Sequence, residues 1–113
     1  MKVAIVGSRS FNDYERLEQS IASISSDIEV IVSGGAKGAD SLAANYAREH
    51  GIELEEYLPE YSRYGRAATI VRNRQIVDAS DMILAFWDGC SKGTKSTLDY
   101  ARKCNKQVVI EMI

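Results

Sequence analysis

The stretch that most constrains this chain is Ser33-Gly34-Gly35-Ala36-Lys37-Gly38-Ala39-Asp40. An apolar β-branched run, Ile28 to Val32, enters it. A helical pattern, Ala39, Leu42, Ala43, Tyr46 and Ala47, leaves it. The glycines therefore sit where a strand turns into a helix. In α/β proteins that junction lies at the carboxyl edge of the sheet, where ligands bind. The helix that follows aims unpaired N–H groups and its positive dipole end at the same spot. This is a place for an anion, above all a phosphate. A second junction of the same kind follows. The run Met82 to Trp87 leads into Asp88-Gly89-Cys90-Ser91-Lys92-Gly93-Thr94 and another helix. Turn chemistry alone does not call for two such junctions in one small domain.

Around these junctions the chain alternates strictly. Strands are predicted at 2–6, 28–32, 52–57, 82–86 and 107–112. The first helix carries Tyr14, Leu17, Ile21 and Ile24 at helical spacing, with Asn12 or Asp13 as its cap. The second spans 39–50, with Gly51 as its stop. The third spans 66–79, with Ala67, Ile70, Val71 and Val77 facing inward. The fourth spans 93–103, with Leu98 and Ala101 inward. Pro59 to Gly65 reads as the one extended irregular stretch. Five strands alternating with four helices predict an α/β, Rossmann-like, doubly wound parallel sheet in a three-layer sandwich. Short right-handed crossovers favour strand order 3-2-1-4-5. The loops after strands one, two and four then converge on one cleft.

The 113 residues are one domain's worth, enough to bury a core without staples. A net charge of −2 argues against a dedicated duplex-DNA binder, so nucleic acid is not an expected partner. Cys90 and Cys104 are too few for a disulfide framework and lack metal spacing. His50 reads as a helix-end residue rather than a ligand. No metal and no cofactor is expected. Without a membrane span or a signal-peptide pattern, a cytoplasmic protein is expected.

The loops carry the chemistry. Gly7, Ser8 and Arg9 form the first, where Arg9 is either a phosphate fork or a solvated side chain. The second offers the N–H groups of Gly34, Gly35, Ala36 and Gly38, the Ser33 hydroxyl, and Lys37. Asp40 either accepts ribose hydroxyls or caps the second helix. Between 61 and 74 lie Arg63, Arg66, Arg72 and Arg74, with Tyr61, Tyr64 and Asn73 among them. Tyrosines beside arginines suit a planar base. Arg66 and Asn73 are expected on one helix face, and Arg74 in phase with Ile70 and Val77, buried and in want of an anion. The fourth loop offers Asp88, Gly89, Ser91, Lys92, Gly93 and Thr94. Trp87 either walls the cleft or packs under the loop.

These motifs in order resemble a known family. They are Gly7-Ser8-Arg9-x-Phe11-x-Asp13, Ser33 to Ala43, Tyr64-Gly65-Arg66-Ala67-Ala68 with Arg72-Asn73-Arg74-Gln75, and Ala85 to Ser96. The chain resembles the small YspA-like proteins of the SLOG superfamily. That superfamily unites the Smf/DprA DNA-processing proteins with the Lonely Guy nucleotide hydrolases. The resemblance implies a Rossmann-like fold and a nucleotide-related ligand at the glycine loops. Lonely Guy enzymes cleave a base from a ribose 5′-monophosphate with an arginine and a glutamate. Arg74 can stand for the arginine, and Gly93-Thr94 matches the end of the turn before the glutamate. The glutamate's own place holds Lys95, Ser96 or Thr97, and Asp99 lies further on. Asp40 and Asp88 are the loop carboxylates able to substitute. Thr69 stands where the family pattern leads one to expect glycine. The expectation is a homo-oligomeric binder of a nucleotide-derived molecule, sensing or sequestering it. An N-glycosidic hydrolase is the first alternative and a single-strand binder the weaker second.

Overall fold

The computed structural model describes residues 1–24 and 27–113. Two apolar runs, buried on both faces, set the centre of the sheet. Strand β1 (Lys2–Gly7) points Val3 and Ile5 to one face and Ala4 and Val6 to the other, all buried. Strand β4 (Met82–Trp87) divides the same way, with Leu84 and Phe86 opposite Ile83 and Ala85. Burial on both faces is the mark of a parallel sheet covered by helices on each side. Strands β2 (Val30–Ser33), β3 (Glu53–Glu56) and β5 (Gln107–Met112) complete it. The sheet is parallel throughout, in the order β3-β2-β1-β4-β5. The sequence-based fold and strand order are both present.

Helices α1 (Tyr14–Ile24) and α2 (Ala39–Glu49) cover one face through Leu17, Ile21, Ala43 and Ala47. Helices α4 (Ala68–Asp78) and α5 (Lys92–Lys103) cover the other through Ile76, Val77, Leu98 and Ala101. Each fully buried Ile or Leu contributes about 1.5–3 kcal/mol, so these two apolar layers hold the sandwich together. Of the two candidate caps for α1, Asp13 serves: its Oδ1 accepts the N–H of Arg16 at 3.1 Å. Gly51, with φ +63°, ends α2 as expected, and the following N–H of Ile52 bonds the Ala47 carbonyl at 2.9 Å.

The stretch read as irregular contains more order than expected. A one-turn helix, α3 (Tyr61–Tyr64), and a 3₁₀ turn (Gly65–Ala67) precede α4. The long helix therefore starts at Ala68, not Arg66. Its inward face is Ala68, Arg72, Ile76 and Val77, while Ile70 is 48% exposed. The expected placement of Arg74 and Ile70 in the interior is thus corrected by 200° of helix phase between residues 72 and 74. No helix among the described residues is long and apolar enough to cross a membrane.

Candidate functional site

The order 2-1-4 at the sheet centre creates a switch point between β1 and β4, and the loops leaving β1, β2 and β4 meet there. The first loop is pinned by Ser8. Its N–H bonds the Phe86 carbonyl at 3.0 Å, and its carbonyl accepts from Phe11 at 3.2 Å and Ala39 at 3.5 Å. Phe11 stacks on Phe86 with centroids 4.6 Å apart, anchoring the far end of the loop in the core. The first and second loops touch backbone to backbone at Gly38. A Cβ there would lie 2.4 Å from the Ser8 carbonyl oxygen and 2.5 Å from that of Arg9. Only glycine allows that approach, and φ +77° asks for it as well.

The glycine turn itself is braced from inside. Asp40, 8% exposed, accepts the Ala36 N–H on Oδ2 at 3.1 Å. It does not cap α2: Gly38 holds the N-cap position without a side-chain bond. Burial raises the Asp40 carboxyl above the ordinary range. The Ala36 N–H, the Arg72 charge and the Gly34 N–H oppose that rise, and Glu56 adds to it. Arg72 donates from Nη1 to the Gly34 carbonyl at 2.6 Å and from Nε to Asn73 Oδ1 at 2.9 Å. The Ser33 hydroxyl, fully buried, lies 3.4 Å from both the Asp40 carbonyl and the Gly35 nitrogen.

The fourth loop is shaped by Asp88. Its Oδ1 accepts the N–H groups of Cys90 and Ser91, both at 2.8 Å. Those bonds hold its carboxyl below the ordinary range. Its own N–H reaches the Ser8 hydroxyl at 3.3 Å, joining the first and fourth loops. Trp87 donates from Nε1 to the Ser91 carbonyl at 3.1 Å and packs under the loop.

Between these loops lies a cleft of about 350 Å³. Gly7 and Arg9 line it from the first loop, Ala36 and Asp40 from the second, and Ser91, Lys92, Gly93 and Thr94 from the fourth. Arg72 and Asn73 close it from α4. The N-terminal ends of α2 and α5 both contribute to its wall. A second chamber, about 540 Å³, opens beside it and includes Gly34, Gly35 and Lys37. Arg9, Ala36, Thr69 and Arg72 line both.

The remaining sequence candidates fall outside both chambers. Ser8, Ser33 and Gly38 are struts behind the loops. Asp88 and Gly89 shape the fourth loop without lining the cleft, and Trp87 does not wall it. Arg66 sits on the 3₁₀ turn, so the expected face shared with Asn73 does not form. Arg74 lies on the outer side of α4, its guanidinium 5.1 Å from the Tyr100 ring centre. There it joins Lys95 and Lys103 in a neighbouring groove that shares Lys92 and Ser96 with the cleft. The buried arginine that periodicity assigned to Arg74 is Arg72. The lining from Thr69, Ile70, Ile76, Ser96 and Thr97 was not anticipated. Thr69 alone carried a signal, as a departure from the expected glycine. Among the described residues no group of three or more His, Cys, Asp or Glu is placed to hold a metal ion.

Comparison with known proteins agrees with this architecture. The Gene 61 protein of Mycobacterium phage D29 is 32% identical over 117 aligned positions, covering 96% of this chain and 94% of that protein. DNA processing protein A (DprA) from Streptococcus pneumoniae has the same fold, with TM-score 0.81 and 23% identity. The match covers 96% of this chain and 49% of that one. DNA processing protein A from Helicobacter pylori, described for its single-stranded DNA binding mode, superposes with TM-score 0.75 and 22% identity over 97% of this chain and 64% of that one. The chain thus spans about half the length of the first and under two thirds of the second. The family model described as YspA, cpYpsA-related SLOG family matches residues 1–64. With the loops, the sheet order and the phage relative in agreement, the chain belongs to the YspA, cpYpsA-related SLOG family.

Proposed function

We propose that this protein binds a nucleotide-derived small molecule in the loop cleft and acts as a sensor or sequestering protein. One observation carries this reading: the cleft at the switch point gathers two helix N-terminal ends, Arg9 and Lys92 around a single space. The start of α5 at Lys92, Gly93 and Thr94, with Arg9 across from it, suits a phosphate. Asp40, on the same wall, accepts ribose hydroxyls. Two free cysteines, one of them exposed, suit a reducing cytoplasm. An open cleft of this kind is readily completed by a second copy, so a homo-oligomer is expected, with light scattering as its test. Native mass spectrometry of gently purified protein tests the main reading. The expected result is a retained mass that releases a phosphorylated nucleoside. Bare protein, with no thermal stabilisation by any nucleotide in a broad panel, would contradict it.

A second reading is favoured by Asp40. A carboxyl with raised pKa in a cleft is the kind of group used for acid–base chemistry. Under it the protein cleaves the N-glycosidic bond of a nucleoside monophosphate. Asp88 does not support that role, because its carboxylate is committed to the loop and lies outside the cleft. Arg74, facing the outer groove, does not support it either. Release of free base on incubation with nucleotides separates the two readings.

A further inference from the structure

We propose that the free edge of strand β5 is a docking surface for a second copy of this chain, the two β5 strands pairing antiparallel into one continuous sheet. The ladder fixes which way the backbone groups of β5 point. Ile113 donates its N–H to the Trp87 carbonyl at 3.0 Å, while the neighbouring Phe86 carbonyl turns the other way, to Ser8. Alternation along the strand then aims Val109 and Glu111 at β4, and Val108, Ile110 and Met112 away from it. The Met112 carbonyl is already taken, because Arg16 donates to it from Nη2 at 2.6 Å. The outward N–H and C=O groups of Val108 and Ile110 have no hydrogen-bond partner among the described residues.

The other edge of the sheet is blunted and this one is not. Strand β3 is four residues long and carries Glu53, Glu55 and Glu56, and a short, charged edge resists strand addition. Strand β5 is six residues long, with Val108, Val109 and Ile110 only half-buried at its centre. Its one carboxylate, Glu111, is neutralised by Arg16 at 3.6 Å and accepts the Ser20 hydroxyl at 2.9 Å. The occupant follows from the order Gln107-Val108-Val109-Ile110-Glu111. Turned end for end about Val109, this stretch complements itself, as a two-fold interface requires. Val109 meets Val109 of the second copy, and the Gln107 amide meets the Glu111 carboxylate. Val108 and Ile110 exchange hydrogen bonds. Lys106 then falls opposite Met112, where the Lys106 N–H is already bonded to the Ala101 carbonyl at 2.9 Å and the Met112 carbonyl to Arg16. A register centred on Ile110 would instead set Met112 opposite Val108 and displace Arg16. The paired strands run in opposite directions, so the two clefts open at opposite ends and neither copy covers the other's.

Sedimentation velocity over a concentration series tests this on the whole chain, with residue-resolved amide hydrogen exchange at both ends of the series. The expected result is a concentration-dependent dimer in which the Val108 and Ile110 amides gain protection. Those of Val109 and Glu111, bonded to β4, should be protected at every concentration. Val108→Pro removes an outward N–H and no bond to β4, and an edge strand tolerates proline. Circular dichroism checks its fold, and the variant should be monomeric at concentrations where the wild type is dimeric. Gln107→Glu sets like charges opposite each other at both ends of the paired stretch and should weaken the dimer several-fold. Adding Glu111→Gln restores an amide–carboxylate pair and should recover the dimer. A monomer at every concentration would overturn the proposal. A dimer protected at the cleft loops, and not at Val108 and Ile110, would overturn it in favour of pairing through the cleft. Val108 and Ile110 amides protected in the monomer would assign the edge to another segment and overturn it as well. So would dimerisation left unchanged by both Val108→Pro and Gln107→Glu.

Discussion

The guanidinium of Arg72 donates to the Gly34 carbonyl at 2.6 Å, tying α4 to the glycine turn 38 residues earlier. There is no spare room at this joint. A Cβ on Gly34 would lie 2.7 Å from Arg72 Nη1 and 2.9 Å from Asp40 Oδ2. The shape of the second loop, and of both chambers it lines, therefore depends on a side chain from the opposite layer.

Arg72→Ala is expected to destabilise the protein by about 1.5–3 kcal/mol, the usual worth of a hydrogen bond to a charged group. It strands a buried carbonyl and removes the charge nearest Asp40. Urea unfolding measures the loss as a lowered midpoint. Arg72→Lys should recover part of it, because an ammonium can donate but lacks the fork that also reaches Asn73. An unchanged midpoint for Arg72→Ala would mean that the joint contributes nothing.

Asp40 gives stability a pH dependence of unusual sign. Its carboxyl is raised by burial, so the folded chain keeps this proton to higher pH than the unfolded chain. Stability from this residue therefore falls as pH rises from the unfolded value near 3.8 through the higher folded one. Asp40→Asn keeps an oxygen for the Ala36 N–H and removes the buried charge. The variant should match or exceed wild-type stability at pH 7, and lose that advantage as pH falls toward 4. Melting curves across that range check it. A variant destabilised at pH 7 and matched at pH 4 would reverse the sign.

Two glycines separate steric need from mere turn composition. Gly38→Ala drives a Cβ onto the Ser8 and Arg9 carbonyls at positive φ, so a loss above about 1 kcal/mol is expected. Gly93 sits in the first turn of α5 with nothing within 4 Å of an added Cβ. Gly93→Ala is expected to stabilise by about 0.4–1 kcal/mol through the unfolded chain. Because Gly93 lines the cleft, the same substitution should weaken ligand binding. Thermal melts with and without nucleotide report both effects.

Single-stranded DNA, named in the description of the Helicobacter pylori neighbour, is the probe for the expectation that this chain does not take nucleic acid as its main partner. The groove with Arg74, Lys92 and Lys103, where Lys95 is paired to Asp99 at 2.8 Å, is the surface on which such binding would be sought. On a chain of net charge −2 we expect only weak binding, collapsing with salt. An Arg74→Glu/Lys103→Glu variant should abolish it without touching mononucleotide affinity. Submicromolar affinity at physiological salt would place DNA binding ahead of the small-molecule reading.

The sequence made the architecture legible because each strand and helix announces itself by local period, and the Val3–Val6 and Met82–Phe86 runs are too apolar for an edge. What it concealed was phase. Ala67, Ile70 and Val71 suggest one inward face for α4, but the 3₁₀ turn at Gly65–Ala67 resets the helix start. Arg72 then fills a core position that an apolar residue would occupy, because a backbone carbonyl there needs a donor. Trp87 was ambiguous for a related reason: its ring packs as core while its N–H serves the loop. Tyr61 drew notice only as a tyrosine beside arginines, and Leu58, between the third strand and Pro59, drew none.

Nucleotide binding at the switch-point cleft is tested most directly by following backbone amide resonances as AMP is titrated into isotopically labelled protein. The predicted shifts centre on Gly7, Ala36, Gly93 and Thr94, with Arg72 and Asn73 following through the joint, while α1 and β5 stay still. Shifts confined to α1 or β5, or no shift at millimolar AMP, would contradict it.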